Sequence, residues 1–153
     1  MSVAPVACVV EVRSAPSRTF DLFTASMGAW WPRGQTPGDK PHADLVIEPR
    51  VGGRWFERDA DGKETQWGKV LAWEPARRLV LGWQLNSRFQ FDASVLMEVE
   101  IQFLPLSAGG TRVSLEHRGI EQLGTDAPSF ASKVNQGWPA RMGEFAAHVA
   151  AVA

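Results

Sequence analysis

The sequence predicts an α+β fold in which a curved antiparallel sheet of about seven strands is wrapped around a long C-terminal helix. Two observations carry this prediction. Residues 43–118 alternate apolar and polar side chains in short segments separated by turn signals, and the last apolar residues recur at helical spacing. Because strands twist, such a sheet curves, and only the last helix is long enough to cover its apolar face. One domain, 1–153, is expected.

The first elements are a strand and a short helical region. Residues 6–13, VACVVEVR, alternate as a half-buried strand does. The next segment has helical period, with Pro16 in the first turn and Phe20 and Phe23 on one face. One or two short helices are therefore expected after the first strand, and Gly28 and the motif WWPRG end the helical region. The prolines and glycines of residues 32–42 then predict a loop.

The paired glycines of PRVGGRWFE decide between a phosphate-binding loop and a chain reversal. A phosphate loop leads from a strand into a helix N-terminus, whereas Gly52 and Gly53 lead into the strand-like RWFERD. We therefore expect a strand-to-strand turn with at least one of the two glycines at positive φ. Asp61-Gly62 predicts a tight hairpin next.

Residues 67–73, WGKVLAW, allow either alternate set of side chains to face the core. The set of Gly68, Val70 and Ala72 is favoured, because the other set contains Lys69 and a buried lysine is costly.

The C-terminal apolar residues form one stripe along a helix, at spacings of 4, 3, 4 and 3. The helix is predicted to run from about 128 or 138 to 151, because Pro139 either opens it or kinks it. The stripe consists of Trp138, Met142, Phe145, Val149 and Val152.

Charge and composition exclude several classes of partner. The chain has 16 basic and 17 acidic residues, a net charge of -1, and no long run of either sign. A nucleic-acid partner is therefore not expected. No apolar segment approaches the roughly 20 residues needed to cross a bilayer, so no membrane insertion is expected. The N-terminus lacks the charge pattern of a signal peptide, and a cytoplasmic location is predicted.

No cofactor, metal site or catalytic residue is predicted. His42, His117 and His148 lie far apart, without the spacing of metal ligands. The single cysteine, Cys8, is in phase with neighbouring valines on an apolar strand face and is expected to be buried and inert.

The segments PRVGGRWFE, DG and WGKVLAWEPARRLVLGWQ resemble the signature of proteins similar to the C-terminal domain of the activator of heat-shock-protein-90 ATPase. VEVRSAPSRTFDLFT, WWPRG, VSLEHRGI and GWPARMGEFAAHV resemble the first strand and helix, the second helix, the last strand and the closing helix of that family, which implies two short helices after the first strand. Pro139 is a departure from a smooth closing helix. The resemblance implies the helix-grip fold of the START-like, or SRPBCC, superfamily, with a deep cavity. That superfamily includes lipid carriers, hormone receptors and aromatase/cyclases.

A cavity is predicted between the closing helix and the concave face of the sheet. Seven tryptophans with no tyrosine indicate a bulky core or an aromatic cavity lining. Strand parity and the helical stripe give most of the lining, and inward Glu57 and His117 would form its polar end. The predicted ligand-binding residues are Trp55, Glu57, Leu81, Trp83, Val95, Met97, Val99, His117, Trp138 and Met142.

The leading functional hypothesis is a binding domain for a small apolar or aromatic molecule. The alternatives are an enzyme of cyclase, dehydratase or hydrolase type that uses His117 or Glu57, and a co-chaperone-like module that binds a protein partner or a second copy of the chain. Buried polar side chains within hydrogen-bond reach would favour the enzyme. An exposed apolar patch would favour the interaction module.

Overall fold

The computed structural model describes residues 3–152. Its strands are β1 (Val6–Val12), β2 (His42–Ile47), β3 (Arg54–Asp59), β4 (Glu64–Glu74), β5 (Arg78–Trp83), β6 (Met97–Pro105) and β7 (Thr111–Arg118). Its helices are α1 (Pro16–Ala25), α2 (Met27–Trp30) and α3 (Ala127–Val152), and a 3₁₀ segment, Ile120–Asp126, leads into α3.

The strands form one antiparallel sheet in the order β1-β7-β6-β5-β4-β3-β2. Strands β2 to β7 are therefore neighbours in the order of the chain, which is the usual arrangement of consecutive strands. β1 pairs with β7, with Val6 opposite His117 and Val12 opposite Thr111. The predicted curved sheet of seven strands with a long C-terminal helix is confirmed.

Helix α3 is continuous over 26 residues and begins at Ala127, close to the earlier of the two predicted starts. Pro139 lies inside it. Pro139 and Asn135, whose carbonyl loses its helical partner, are both exposed, so water can satisfy that carbonyl. The apolar stripe is buried as predicted from Trp138 to Val149, while Val152 is 40% exposed at the helix end.

The turn at Gly52 and Gly53 is a chain reversal between β2 and β3, as predicted. Gly52 has φ +83°, which residues with a side chain rarely adopt. Gly53 is needed for a different reason, because a side chain at this position would not fit. A Cβ on Gly53 would lie 2.7 Å from the carbonyl oxygen of Glu48.

The predicted inward face of residues 67–73 is wrong in part. Val70 is buried as expected, but Trp67 is buried as well, at 1% exposure. Trp73 packs edge-on against Phe20, with ring centroids 5.0 Å apart.

Two β-bulges in β4 explain this difference. The register with β3 shifts so that Trp67 is an extra residue, and the register with β5 shifts so that Leu71 is extra. Each extra residue reverses the order of inward and outward side chains, so a single alternating pattern cannot describe the strand.

Aromatic side chains fill the interior beneath α1, α2 and α3. Phe23 and Trp30 each lie 5.2 Å from Phe145, and Phe20 lies 5.1 Å from Phe103. Because these rings pack the core closely around the C-terminal half of α3, space for a ligand is found toward its N-terminal half.

A candidate ligand cleft bordered by tryptophans

Five tryptophans form a closed ring of aromatic contacts, here called the tryptophan ring. The centroids of Trp31 and Trp67 are 5.1 Å apart, and those of Trp67 and Trp55 are 5.2 Å apart. The three remaining contacts, Trp55–Trp83, Trp83–Trp138 and Trp138–Trp31, each measure 5.9 Å. All five pairs meet at steep angles, between 61° and 87°, which is a favoured geometry for aromatic rings.

Neighbouring strands and two helices bring these residues together. Trp55, Trp67 and Trp83 come from β3, β4 and β5, Trp31 directly follows α2, and Trp138 lies on α3. In the sheet, Gly68 pairs with Trp55 on one side and with Trp83 on the other. Gly68 is required for space, because a Cβ at this position would overlap the carbonyl oxygen of Gly82 on β5.

Four of the five, all except Trp55, line a cleft of about 300 Å³. The cleft lies between the N-terminal half of α3, the loop after α2, strand β4 and the segment after β5. Leu85, Phe89 and Val134 add apolar surface, and the loop contributes Gln35, Thr36 and Pro37. Lys133 and Arg141 are the only charged side chains among the residues described as lining it.

The indole N–H groups of the four cleft tryptophans all donate hydrogen bonds within the protein. The cleft therefore presents ring surfaces to a ligand, while the polar indole edges are already occupied. The acceptors are the carbonyl of Gln35 for Trp31 (3.0 Å), Oε1 of Glu57 for Trp67 (2.9 Å), the carbonyl of Leu85 for Trp83 (3.1 Å) and Nδ1 of His117 for Trp138 (3.0 Å).

Glu57 points inward from β3 and is 1% exposed. Its carboxylate accepts hydrogen bonds from the hydroxyl of Thr36 (2.8 Å), the backbone N–H of Gly38 (2.9 Å) and the indole of Trp67 (2.9 Å). Three donors compensate for the burial of a carboxylate. Glu57 thus ties the loop after α2 to β4 from behind the cleft.

His117 points inward from β7 and is fully buried. Its ring lies 4.9 Å from that of Trp83 and 5.7 Å from that of Phe130. Desolvation in these surroundings lowers the pKa of His117 from 6.5 to about 3. The imidazole is therefore neutral near pH 7, with Nδ1 accepting from Trp138 and the proton on Nε2.

The structure distributes the predicted ligand-binding residues over three positions. Trp83 and Trp138 line the cleft, and Trp55, Glu57 and His117 lie behind its wall. No hydrogen bond joins Glu57 to His117 within the described part of the chain. The other predicted residues pack in the core beside the cleft, where their contribution to binding stays a prediction; they are Leu81, Val95, Met97, Val99 and Met142.

Several lining residues were not identified from the sequence. A bulge conceals the orientation of Trp67, as described above. Lys133, Gly137 and Arg141 recur every four residues, so they share a helical face, and this spacing is a signal that the sequence does contain. Phe89 has φ +58°, an uncommon backbone for a residue with a side chain, which no sequence pattern indicates.

Within residues 3–152, no helix combines the length and the apolar character needed to cross a membrane. The same residues contain no group of three or more His, Cys, Asp or Glu side chains placed to hold a metal ion.

The sequence model of the family described as Activator of Hsp90 ATPase homolog 1-like protein matches residues 13–150. Among solved structures, the anthrahydroquino-γ-pyrone synthase Txn09, complexed with SUM, is 33% identical, with 88% of each chain covered and a TM-score of 0.61. CalC, a self-sacrificing resistance protein from Micromonospora echinospora, is 27% identical, with 95% of this chain and 93% of that chain covered and a TM-score of 0.72.

The Aha1 dimer from Colwellia psychrerythraea has the same fold, with 14% identity, 92% and 91% coverage and a TM-score of 0.62. No curated protein matches the chain.

Proposed function

The chain belongs to the Activator of Hsp90 ATPase homolog 1-like family, and we propose that it binds a small, largely apolar molecule in the cleft of the tryptophan ring. Proteins of this fold generally bind hydrophobic ligands. The observation that carries the proposal is the cleft itself: four indoles border an open space, and their N–H groups are all bonded elsewhere.

Size and lining indicate the kind of ligand. Small-molecule sites span roughly 300–1,000 Å³, so a cleft of about 300 Å³ suits a bicyclic or tricyclic molecule rather than a lipid chain. Removing apolar surface from water at roughly 25 cal/mol per Å² would drive binding. The tryptophan side chains are held by internal hydrogen bonds, which lowers the entropy that binding would cost.

An enzyme using His117 or Glu57 has less support. Neither side chain lines the cleft, and the oxygens of Glu57 are occupied by three donors. His117 is neutral, and its Nδ1 is engaged by Trp138. A general acid or base must reach the proton that it transfers, and these two residues instead hold the tryptophans that border the cleft.

Two glycines on α3 provide a matched test. A Cβ added to Gly137, which lines the cleft, or to Gly143, which is exposed, meets no atom within 4 Å. Both substitutions to Trp replace a helical glycine and favour the helix. Gly137→Trp should fill the cleft, whereas Gly143→Trp should leave it open.

Binding of naphthalene-sized aromatic probes, charged and neutral, would be measured by isothermal titration calorimetry. Wild type and Gly143→Trp should bind alike, and Gly137→Trp should bind at least about tenfold more weakly. Equal binding by Gly137→Trp would place the site elsewhere. No binding of any probe by the wild type would refute the proposed function.

A further inference from the structure

The charged side chains that line the cleft are both cations on α3. The ammonium of Lys133 has no ion-pair partner within residues 3–152 and lies 6.0 Å from the centre of the Phe89 ring. The guanidinium of Arg141 lies 5.8 Å from the Trp31 ring. Each cation therefore stands beside an aromatic wall of the cleft, and no carboxylate lines it among the described residues.

The guanidinium of Arg141 is held in place by two hydrogen bonds, and one of its nitrogens remains available as a donor. Its Nε donates to Glu144 at 2.7 Å, and its Nη1 donates to the side-chain oxygen of Gln35 at 2.9 Å. These bonds fix the guanidinium plane and leave Nη2 without a partner within the described range. Arg141 can therefore donate to a ligand from a fixed orientation.

Among the described residues, three side-chain nitrogens that line the cleft have no hydrogen-bond partner within the protein, and all three are donors. They are the ammonium of Lys133, Nη2 of Arg141 and the amide nitrogen of Gln35, whose oxygen is bonded to Arg141. The hydroxyl of Thr36, by contrast, already donates to Glu57. Three free donors, two of them charged, complement a group that accepts hydrogen bonds and carries negative charge.

We propose that the cleft binds an aromatic acid, with the ring system among the indoles and the carboxylate or equivalent anion against Lys133 and Arg141. This inference rests on the proposed binding function and names the chemical class of its ligand. The two parts of such a ligand would meet different parts of the cleft. Aromatic surface lies inside it, where the indole N–H groups of the four cleft tryptophans are all bonded, and the positive charges of Lys133 and Arg141 lie at its mouth.

Two probes of nearly the same shape test the inference. 2-Naphthoate carries the anion, and 2-naphthamide replaces it with a neutral group. The wild type should bind 2-naphthoate about tenfold more tightly than 2-naphthamide at low salt. Raising the ionic strength should shrink that ratio, because charges at an open rim are screened.

Lys133→Gln should weaken 2-naphthoate binding several-fold more than it weakens 2-naphthamide binding, because the lost ammonium attracts a charged group more strongly than a neutral amide. Lys69→Gln is the matched control. It removes the same charge from the outer face of the sheet. Lys69 lies on β4, opposite Arg54 of β3 and Gly82 of β5 in the strand register. Arg141→Gln should act in the same direction as Lys133→Gln.

Equal affinity of the wild type for both probes would overturn the aromatic-acid inference and leave the binding function standing. An equal loss in Lys133→Gln and Lys69→Gln would overturn it too, because the effect would then come from net charge. Failure of both probes to bind would overturn both proposals.

Discussion

The indole of Trp138 on α3 donates a 3.0 Å hydrogen bond to Nδ1 of His117 on β7. The bond joins the helix to the sheet directly behind the cleft, and it requires a neutral imidazole, because Nδ1 of an imidazolium carries a hydrogen. Burial lowers the pKa of His117 to about 3, so the bond is retained at neutral pH. A histidine that does not line the cleft thus holds the indole of a tryptophan that does.

The same burial predicts a loss of stability in acid. Unfolded His117 titrates near pH 6.5 and folded His117 near pH 3, so below pH 6.5 the unfolded state takes up the proton first. The stabilisation is complete above pH 6.5 and is lost as the pH falls toward 3. Between pH 7 and pH 4, the wild type should lose about 3 kcal/mol more free energy of unfolding than His117→Asn does.

Denaturant melts of the two proteins at both pH values measure this difference. The other ionisable groups are common to both proteins and cancel in the comparison. Parallel loss of stability in the two proteins would mean that His117 titrates normally.

A second prediction concerns Glu57 and the loop after α2. Glu57→Gln keeps the shape but removes the charge: the amide oxygen can still accept from Gly38 and Trp67, and the amide nitrogen can donate to the hydroxyl of Thr36. Because neutral hydrogen bonds are weaker than bonds to a carboxylate, we expect a cost of about 1–3 kcal/mol and faster amide exchange at Gly38. Glu64→Gln, which breaks surface ion pairs with Arg54 and Arg58, should change stability little.

Hydrogen exchange followed by mass spectrometry measures the loop directly. Unchanged exchange across the loop in Glu57→Gln would show that the carboxylate does not hold it.

A third prediction separates backbone strain from binding. Phe89 and Ala76 both have left-handed backbone, with φ +58° and +66°. Ala76→Gly, in the turn between β4 and β5, should stabilise the protein by up to about 1 kcal/mol and leave probe binding unchanged. Phe89→Gly should remove a similar backbone strain, but it also removes the ring contacts with Trp83 and Phe130. The free energy of unfolding should therefore change little, while probe binding weakens several-fold.

Thermal melts and probe titrations of both variants give the two quantities. Unchanged binding in Phe89→Gly would remove Phe89 from the site.

Periodicity was sufficient to predict the elements whose patterns are undisturbed. In β6, Met97, Val99 and Ile101 alternate with Glu98 and Glu100 without interruption, so the sequence indicates which side chains are buried. The stripe on α3 likewise predicts the buried face of the helix from Trp138 to Val149. In β4 the bulges at Trp67 and Leu71 shift the register, and no feature of the alternation reveals an extra residue.

The position of the cleft depends on packing between distant segments. Phe23 and Trp30 pack against Phe145 from the other end of the chain and fill the space on one side. The loop carrying Thr36 is held over the other side by Glu57. Parity identifies Trp83 as inward, but it does not distinguish a side chain packed in the core from one that borders an open space. The contacts that close the tryptophan ring join residues from five separate segments, so they cannot be predicted from the pattern of any one segment.

The proposed ligand site lies among the four cleft tryptophans, and their indole N–H groups report on it directly. A ¹H–¹⁵N spectrum resolves the indole N–H of each of the seven tryptophans, and titration with 2-naphthoate tests their surroundings in one experiment. Trp31, Trp67, Trp83 and Trp138 should shift with one common dissociation constant, while Trp73, which packs on Phe20, should not move. Saturable shifts at Trp73 with the four cleft signals unchanged, or no saturable shift at any indole, would contradict ligand binding in the cleft.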